Sequence, residues 1–176
     1  MRVERSSARA SHLKMRRLLL PLLSLFVTSA SGPAASPTVS GDLAVLQGDL
    51  AAAPANAPVA VKNAIRAVNT IIRKPYRWGG GHSTFFDIGY DCSGTVSFML
   101  HYAGVLDAPA SSKSLLTWGQ PGPGRWITVY ARSGHAFAVV GGLRLDTTGR
   151  KEGEGPRWRA ESRDLSRFTA RHPPRL

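Results

Sequence analysis

The chain has 176 residues, a formal net charge of +12 and a single cysteine. This length is enough for one domain with a buried core. A lone cysteine excludes an internal disulfide framework and a cysteine-rich zinc site. The positive charge predicts attraction to anionic surfaces or to nucleic acid, with a well-solvated basic surface as the simpler interpretation.

Residues 1–30 have the pattern of a secretory signal peptide. Two arginines precede the apolar run 18–27, and small residues follow up to Ala30. This charged, apolar and cleavable order is typical of exported proteins. The run is shorter than the roughly 20 residues that a membrane-spanning helix needs. We therefore expect a secreted or periplasmic protein without a transmembrane segment. A short buried helix is the alternative interpretation, and Met15 is an alternative start.

The next segment, residues 31–58, is rich in Ala, Pro and Ser. It predicts a flexible linker, with a short helix around Leu43–Leu50. The domain itself is expected to span residues 59–176. Its first helix is predicted from apolar residues that recur at helical spacing from Val61 to Ile72, with Pro75 as the stop signal.

A second predicted helix carries the cysteine. Apolar residues follow helical spacing from Val96 to Ala103, and Gly104 is placed to end the helix. This spacing puts Asp91 and Cys92 at its N-terminus, where unpaired N–H groups and the macrodipole favour a thiolate. From composition alone, the thiol is buried and inert, bonded to another molecule, or nucleophilic.

Three strand-like runs follow, at residues 126–130, 135–140 and 143–146. The last two flank Gly141-Gly142, which is a signal for a two-residue hairpin loop. Helices that precede strands predict an α+β fold, with an antiparallel sheet packed on the helix that carries Cys92. One face of the hairpin is apolar and is expected to face the core; its members are Ala136, Ala138, Val140, Leu143 and Leu145.

The hairpin register decides which polar side chains meet. With the two glycines as the loop, His135 and Asp146 project from the same polar face as diagonal neighbours, roughly 7–8 Å apart between backbones. A thiol nucleophile requires a base and a group that orients the base. Cys92, His135 and Asp146 are therefore the candidate catalytic residues. His135 has the alternative of an ordinary surface histidine, and Asp146 that of pairing with Arg144 or capping a turn.

The sequence does not favour a metal site. His82, Asp87 and Asp91 do not form a recognised ligand spacing, and a single cysteine gives no zinc site. We expect neither a metal nor another cofactor.

Three motifs, PYRWGGG, YDCSGTVSFML and SGHAFAVVGG, resemble in this order the NlpC-type family of cell-wall cysteine peptidases. The resemblance covers roughly residues 59–150. It implies a papain-like α+β fold and cleavage of peptidoglycan stem peptides, usually beside D-glutamate and before diaminopimelate or lysine. It also implies Cys92 as the nucleophile, His135 as the base and Asp146 at the third position, which in this family is more often histidine, asparagine or glutamine.

The resemblance also implies residues for substrate binding. Tyr76 matches a tyrosine near the oxyanion and the substrate. Asp91 and Ser93 match positions that in some members hold the free amine of the stem peptide. Thirteen residues separate Trp78 from Cys92, and this gap is longer than is usual in the family.

The implied partners are peptidoglycan stem peptides and anionic cell-wall polymer, bound by a monomer associated with the wall and without a specific nucleic-acid site. Two alternatives stay open at this point. One is a thiol-dependent amidase or acyltransferase on the same fold, and the other is a non-catalytic, basic wall-binding domain.

Overall fold

A long antiparallel sheet and two helices build the core of the molecule. The computed structural model describes residues 37–148 and 154–176, all within one unit, Ala35–Leu176. The predicted signal peptide lies outside the described residues. The elements are α1 (Val59–Asn69), α2 (Cys92–Tyr102), α3 (Ser112–Leu115), β1 (Thr38–Val39), β2 (Val45–Gln47), β3 (Leu50–Pro54), β4 (Gln120–Pro121), β5 (Ile127–Arg132), β6 (His135–Val140), β7 (Leu143–Asp146), β8 (Arg157–Arg159) and β9 (Thr169–His172).

The main sheet has the strand order β4-β9-β5-β6-β7-β8, and every neighbouring pair is antiparallel. The predicted β6–β7 register is confirmed, because Val140 pairs with Leu143 and Ala138 with Leu145. Gly141 and Gly142 form the loop with φ angles of 55° and 89°. Two consecutive positive φ angles are typical of the tight turn that matches the twist of a hairpin, and glycine adopts them at little cost.

The apolar face of the hairpin packs on the helices, as the alternation of the sequence predicts. α2 lies against β6 and also contacts α1. Met99 and Leu100 of α2 are fully buried with Ala138 and Leu145 in one apolar cluster. Removing each large side chain of this kind from water contributes about 1.5–3 kcal/mol. The predicted mixed α+β class is confirmed. Among the described residues, no helix combines the length and the apolar character needed to cross a membrane.

The first helix ends earlier than its apolar spacing predicts. α1 stops at Asn69 and turns follow as far as Lys74, instead of a helix that continues to Pro75. The β-branched residues after Asn69 lose rotamer freedom in a helix. The Thr70 hydroxyl also donates a hydrogen bond to the carbonyl of Ala67, which competes with the regular helical pattern.

Much of the predicted linker is folded, and the helix predicted around residues 43–50 is not formed. β3 lies between β1 and β2 in a three-stranded sheet, and its residues Ala51–Ala53 are buried against α1. The small alanine side chains let β3 approach α1 closely. The same alanines produce little apolar periodicity, and this is why the sequence of the segment predicts a linker.

Asn69 fixes this strand to the domain. Its side-chain amide donates to the carbonyl of Ala51 at 2.9 Å, and its Oδ1 accepts from the N–H of Ala51 at 3.0 Å and from Nε1 of Trp158 at 2.9 Å. One side chain therefore satisfies three polar groups that belong to β3 and β8.

Replacing Asn69 by alanine should leave these partners unpaired and lower the free energy of unfolding by about 2–4 kcal/mol. Asn63→Ala is the matched control in the same helix. Among the described residues, the side chain of Asn63 accepts one hydrogen bond, from the exposed Arg66 at 3.3 Å. Urea denaturation of both variants measures the difference. Equal stabilities would contradict the conclusion that residues 38–54 belong to the folded domain.

Candidate active site

The lone cysteine is the first residue of α2, as predicted. Asp91 caps the helix, and its Oδ1 accepts a hydrogen bond from the N–H of Gly94 at 2.7 Å. Such a cap stabilises a helix start by about 1 kcal/mol. The N–H groups of Cys92 and Ser93 make no hydrogen bond to another described residue, so they stay available at the positive end of the helix.

The start of α2 is pressed against the preceding glycine-rich loop. A Cβ atom added at Gly94 would collide with the carbonyl oxygen of Gly80. The N–H of Asp91 donates to that same carbonyl at 3.2 Å. This close approach is the physical reason for glycine at position 94, whereas a Cβ atom at Gly80 would collide with the carbonyl oxygen of Gly89.

The long gap between Trp78 and Cys92 folds back on itself. Tyr76 pairs with Tyr90 in an isolated parallel bridge, and Asp87 accepts the N–H of Gly81 at 3.0 Å. The extra residues therefore form a closed loop between the two tyrosines. Tyr76 consequently lies near the thiol despite the greater sequence distance.

The thiol of Cys92 and the imidazole of His135, the first residue of β6, lie close enough to shift each other's pKa. Burial opposes ionisation of Cys92, but hydrogen bonds from the His135 side chain and from the N–H of Ala136 outweigh it and lower the pKa of the thiol. The Asp91 carboxylate acts in the opposite direction and more weakly. The net effect favours a thiolate, which is the nucleophilic form of cysteine.

The imidazole of His135 is held between the thiol and a carboxylate. Its Nε2 lies 3.1 Å from Oδ1 of Asp146, the contact that the hairpin register predicts. Burial disfavours the imidazolium, yet hydrogen bonds to Asp146 and Cys92 raise the pKa of His135 to about 9. The opposite shifts of the thiol and the imidazole favour a thiolate–imidazolium pair.

Asp146 is fully buried and is held as a carboxylate by several donors. Burial alone would raise its pKa, but hydrogen bonds from His135, from the N–H of Thr148 and from Arg163 lower it. Both the N–H and the hydroxyl of Thr148 lie 3.0 Å from Oδ1. Arg144 is also close, with its Nε 3.6 Å from Oδ2, so the alternative pairing of the sequence analysis exists beside the histidine contact.

Arg163 is a site residue that the sequence analysis missed. Its Nη1 donates to Oδ2 of Asp146 at 2.6 Å and lies 3.3 Å from Nε2 of His135. Its guanidinium also stacks on Phe137 and Phe168, at 4.9 and 5.0 Å from the ring centroids. Arg163 lies in the irregular segment between β8 and β9, so no periodicity indicated that it returns to the hairpin.

A second polar group lies on the other side of Cys92. His82 Nε2 is 3.0 Å from Oδ1 of Asp91 and 3.1 Å from Oγ of Ser93. The second carboxylate oxygen of Asp91 accepts the N–H of Gly79 at 3.1 Å. Asp91 and Ser93, which flank Cys92 in sequence, share His82 as a partner that its spacing did not indicate.

Tyr76 completes the group. Partial burial, together with the negative charges of Cys92 and Asp91, raises the pKa of its hydroxyl. The hydroxyl therefore stays protonated at neutral pH and is able to donate a hydrogen bond. Among residues 37–148 and 154–176, no cluster of three or more His, Cys, Asp or Glu side chains is arranged to hold a metal ion.

The arrangement supplies the parts of nucleophilic acyl transfer. Cys92 provides a thiolate, His135 holds a proton beside it, and Asp146 orients the imidazole. The free N–H groups at the start of α2 are placed to stabilise an oxyanion.

Comparison with known proteins supports a hydrolase. No family model matches the chain. Over 81 residues it is 36% identical to proteins named probable endopeptidase from Mycobacterium bovis and from two strains of Mycobacterium tuberculosis. The matched stretch is 43% of this chain and 20% of each relative, so the chain spans about a fifth of the length of the curated relatives it matches.

The coupling between Cys92 and His135 predicts how the thiol reacts with iodoacetamide. His135→Ala should move the onset of alkylation to higher pH and slow the reaction at pH 7, because the imidazole no longer lowers the pKa of the thiol and a smaller fraction of it is thiolate. Mass spectrometry reports a single adduct because the chain has one cysteine. His172→Ala is the control, as His172 hydrogen-bonds the carbonyl of Gly122 at 3.0 Å and not the thiol. Identical pH profiles for the two variants would refute the coupling.

Proposed function

We propose that this chain is an exported cysteine endopeptidase of the NlpC type, with a papain-like fold, that hydrolyses peptidoglycan stem peptides. The proposal rests mainly on the arrangement of three side chains: His135 is hydrogen-bonded to Asp146 at 3.1 Å, and the same imidazole lowers the pKa of the Cys92 thiol. The partial similarity to probable endopeptidases and the three motifs of the sequence analysis support it.

In the proposed first step, the Cys92 sulfur attacks the carbonyl carbon of the scissile bond and forms a C–S bond. The negative charge that develops on the carbonyl oxygen is stabilised by the N–H groups of Cys92 and Ser93 and by the Tyr76 hydroxyl. When the tetrahedral intermediate collapses, the C–N bond breaks. His135 gives its proton to the leaving amine, which departs as the first product.

In the second step, water hydrolyses the thioester. The neutral imidazole of His135 removes a proton from water as the water oxygen attacks the acyl carbon. The C–S bond then breaks, and the released thiolate is again paired with the imidazolium. Asp146 keeps the ring oriented through both steps, and its buried hydrogen bonds to Thr148 and Arg163 keep it ionised.

The proposed bond is of the D-glutamyl–diaminopimelate type. Support comes from the motif resemblance and from the polar group beside the thiol. Asp91 and Ser93 are proposed to bind the free amine of the stem peptide, as their family positions imply. In the structure, Nε2 of His82 contacts Oδ1 of Asp91 and Oγ of Ser93. An incoming amine would have to displace His82 from these two oxygens. Export is supported by the signal pattern, and wall association by the positive charge that remains, +7, when residues 1–30 with their +5 are removed from the total of +12.

The test is digestion of purified peptidoglycan. Cys92→Ala should abolish the release of soluble peptide fragments, because no other described side chain at the site supplies a nucleophilic sulfur. Ser114→Ala, at an exposed hydroxyl of α3, should release them at the wild-type rate. Mass spectrometry of the fragments identifies the new amine and carboxyl ends.

Undiminished release by Cys92→Ala would overturn the proposal. Activity of the wild type on simple amides or acyl esters, with no cleavage of stem peptides, would also overturn it and would identify a thiol-dependent amidase or acyltransferase instead.

A further inference from the structure

A basic pocket lies beside the histidine, and two of its three arginines take no part in the chemistry described above. It is a cavity of about 270 Å³ lined by Arg132, Arg163, Asp164, Arg167 and Phe168. Three guanidinium groups thus surround a single carboxylate. Like charges this close repel one another, and an anion bound among them would remove that repulsion.

Two of these arginines are held only by weaker contacts: Arg132 lies over the Phe168 ring, and Arg167 interacts electrostatically with Asp164. Within the described ranges, Arg132 and Arg167 make neither a hydrogen bond nor an ion pair with another side chain. The one acidic member is occupied, since the two carboxylate oxygens of Asp164 accept the N–H and the hydroxyl of Ser166, each at 2.9 Å. Donors therefore remain for an outside ligand.

The pocket is held in position by its aromatic floor. Phe168 packs edge-on against His135, with ring centroids 6.0 Å apart, and against Phe137 at 5.0 Å. Arg132 lies over the Phe168 ring at 5.4 Å. Stacking restricts the guanidinium to a few orientations, so that less freedom is lost when it binds a carboxylate through two N–H groups.

The pocket also has a defined relation to the reaction. Arg132 is the cross-strand partner of His135, so their backbones are roughly 5 Å apart. The leaving amine takes its proton from His135, and the leaving half of the substrate therefore lies on the histidine side of the thiol. One or two extended residues, at about 3.3–3.6 Å each, are enough to reach from that amine to the pocket.

We propose that this arginine pocket binds a free carboxylate of the leaving half of the peptide substrate. The inference rests on the proposed function and deepens it. The pocket selects peptides whose released part is acidic over those in which the same carboxyl is an amide. Arg132 and Arg167 supply the contacts, and Arg163 adds positive charge while it stays bound to Asp146.

The experiment compares two synthetic stem-peptide analogues that differ only in one group of the leaving half, a free carboxylate or its carboxamide. We expect the wild type to cleave the carboxylate form with a kcat/KM about tenfold higher, mainly through KM, as one charge-assisted contact implies. In the double variant Arg132→Gln/Arg167→Gln the two peptides should be cleaved equally. Its kcat for the carboxamide should match that of the wild type, because neither side chain touches the reacting groups.

Arg125→Gln is the matched control. Arg125 also stacks on an aromatic ring, that of Trp126 at 5.1 Å, but it lies at the opposite end of β5. It should keep the full preference for the carboxylate.

Three results would overturn this inference alone. Equal cleavage of both peptides by the wild type would show that the arginine pocket does not bind the carboxylate, and it would leave the proposed function intact. A loss of preference in Arg125→Gln as large as in the double variant would reduce the effect to overall charge. The double variant could also keep the preference for the carboxylate peptide but bind polyphosphate more weakly than the wild type. This result would indicate that the pocket binds phosphate polymers instead. Failure of the wild type to cleave either peptide would instead refute the proposed function, and this inference with it.

Discussion

The hydrogen bond between the imidazole of His135 and the buried carboxylate of Asp146 depends on the β6–β7 register, which places the two residues on one face of the hairpin. Gly141 and Gly142 close the hairpin with two positive φ angles, and this loop fixes which residues of the two strands face each other. A slip of one residue would turn Asp146 toward the apolar core and leave His135 without a partner. The hydrogen bond between these two side chains then keeps the imidazole charged despite its burial. That charge in turn favours the thiolate.

Two further parts of the fold serve this contact from opposite sides. On the thiol side, the loop between Tyr76 and Tyr90 folds back so that Gly80 meets Gly94 and the helix starts at Cys92. On the carboxylate side, Arg163 returns from the segment that follows β8 and binds Asp146. A buried carboxylate is costly unless it is paired and hydrogen-bonded. Without its several donors, the Asp146 carboxylate would take up a proton and would no longer stabilise the imidazolium of His135.

The sequence was sufficient for the parts of the molecule that have strong local patterns. The start of α2, the glycine loop and the β6–β7 register follow from capping, periodicity and turn chemistry, and these predictions are confirmed. The fold of residues 38–54 was not predictable, because alanines that pack closely on a helix have the composition of a linker. Arg163 and His82 were missed for a different reason. Each reaches the site from an irregular segment, where no periodic pattern links sequence position to direction. The position of Tyr76 likewise depends on a loop whose closure the sequence alone does not reveal.

Heteronuclear NMR of the imidazole measures the charge state of His135 without a substrate. The ring should be an imidazolium at pH 7 and lose its proton near pH 9. In Cys92→Ser the same ring should titrate at lower pH, because the charged partner is then gone. A neutral ring at pH 7 with an ordinary titration, unchanged when Cys92 is replaced, would contradict the thiolate–imidazolium pair.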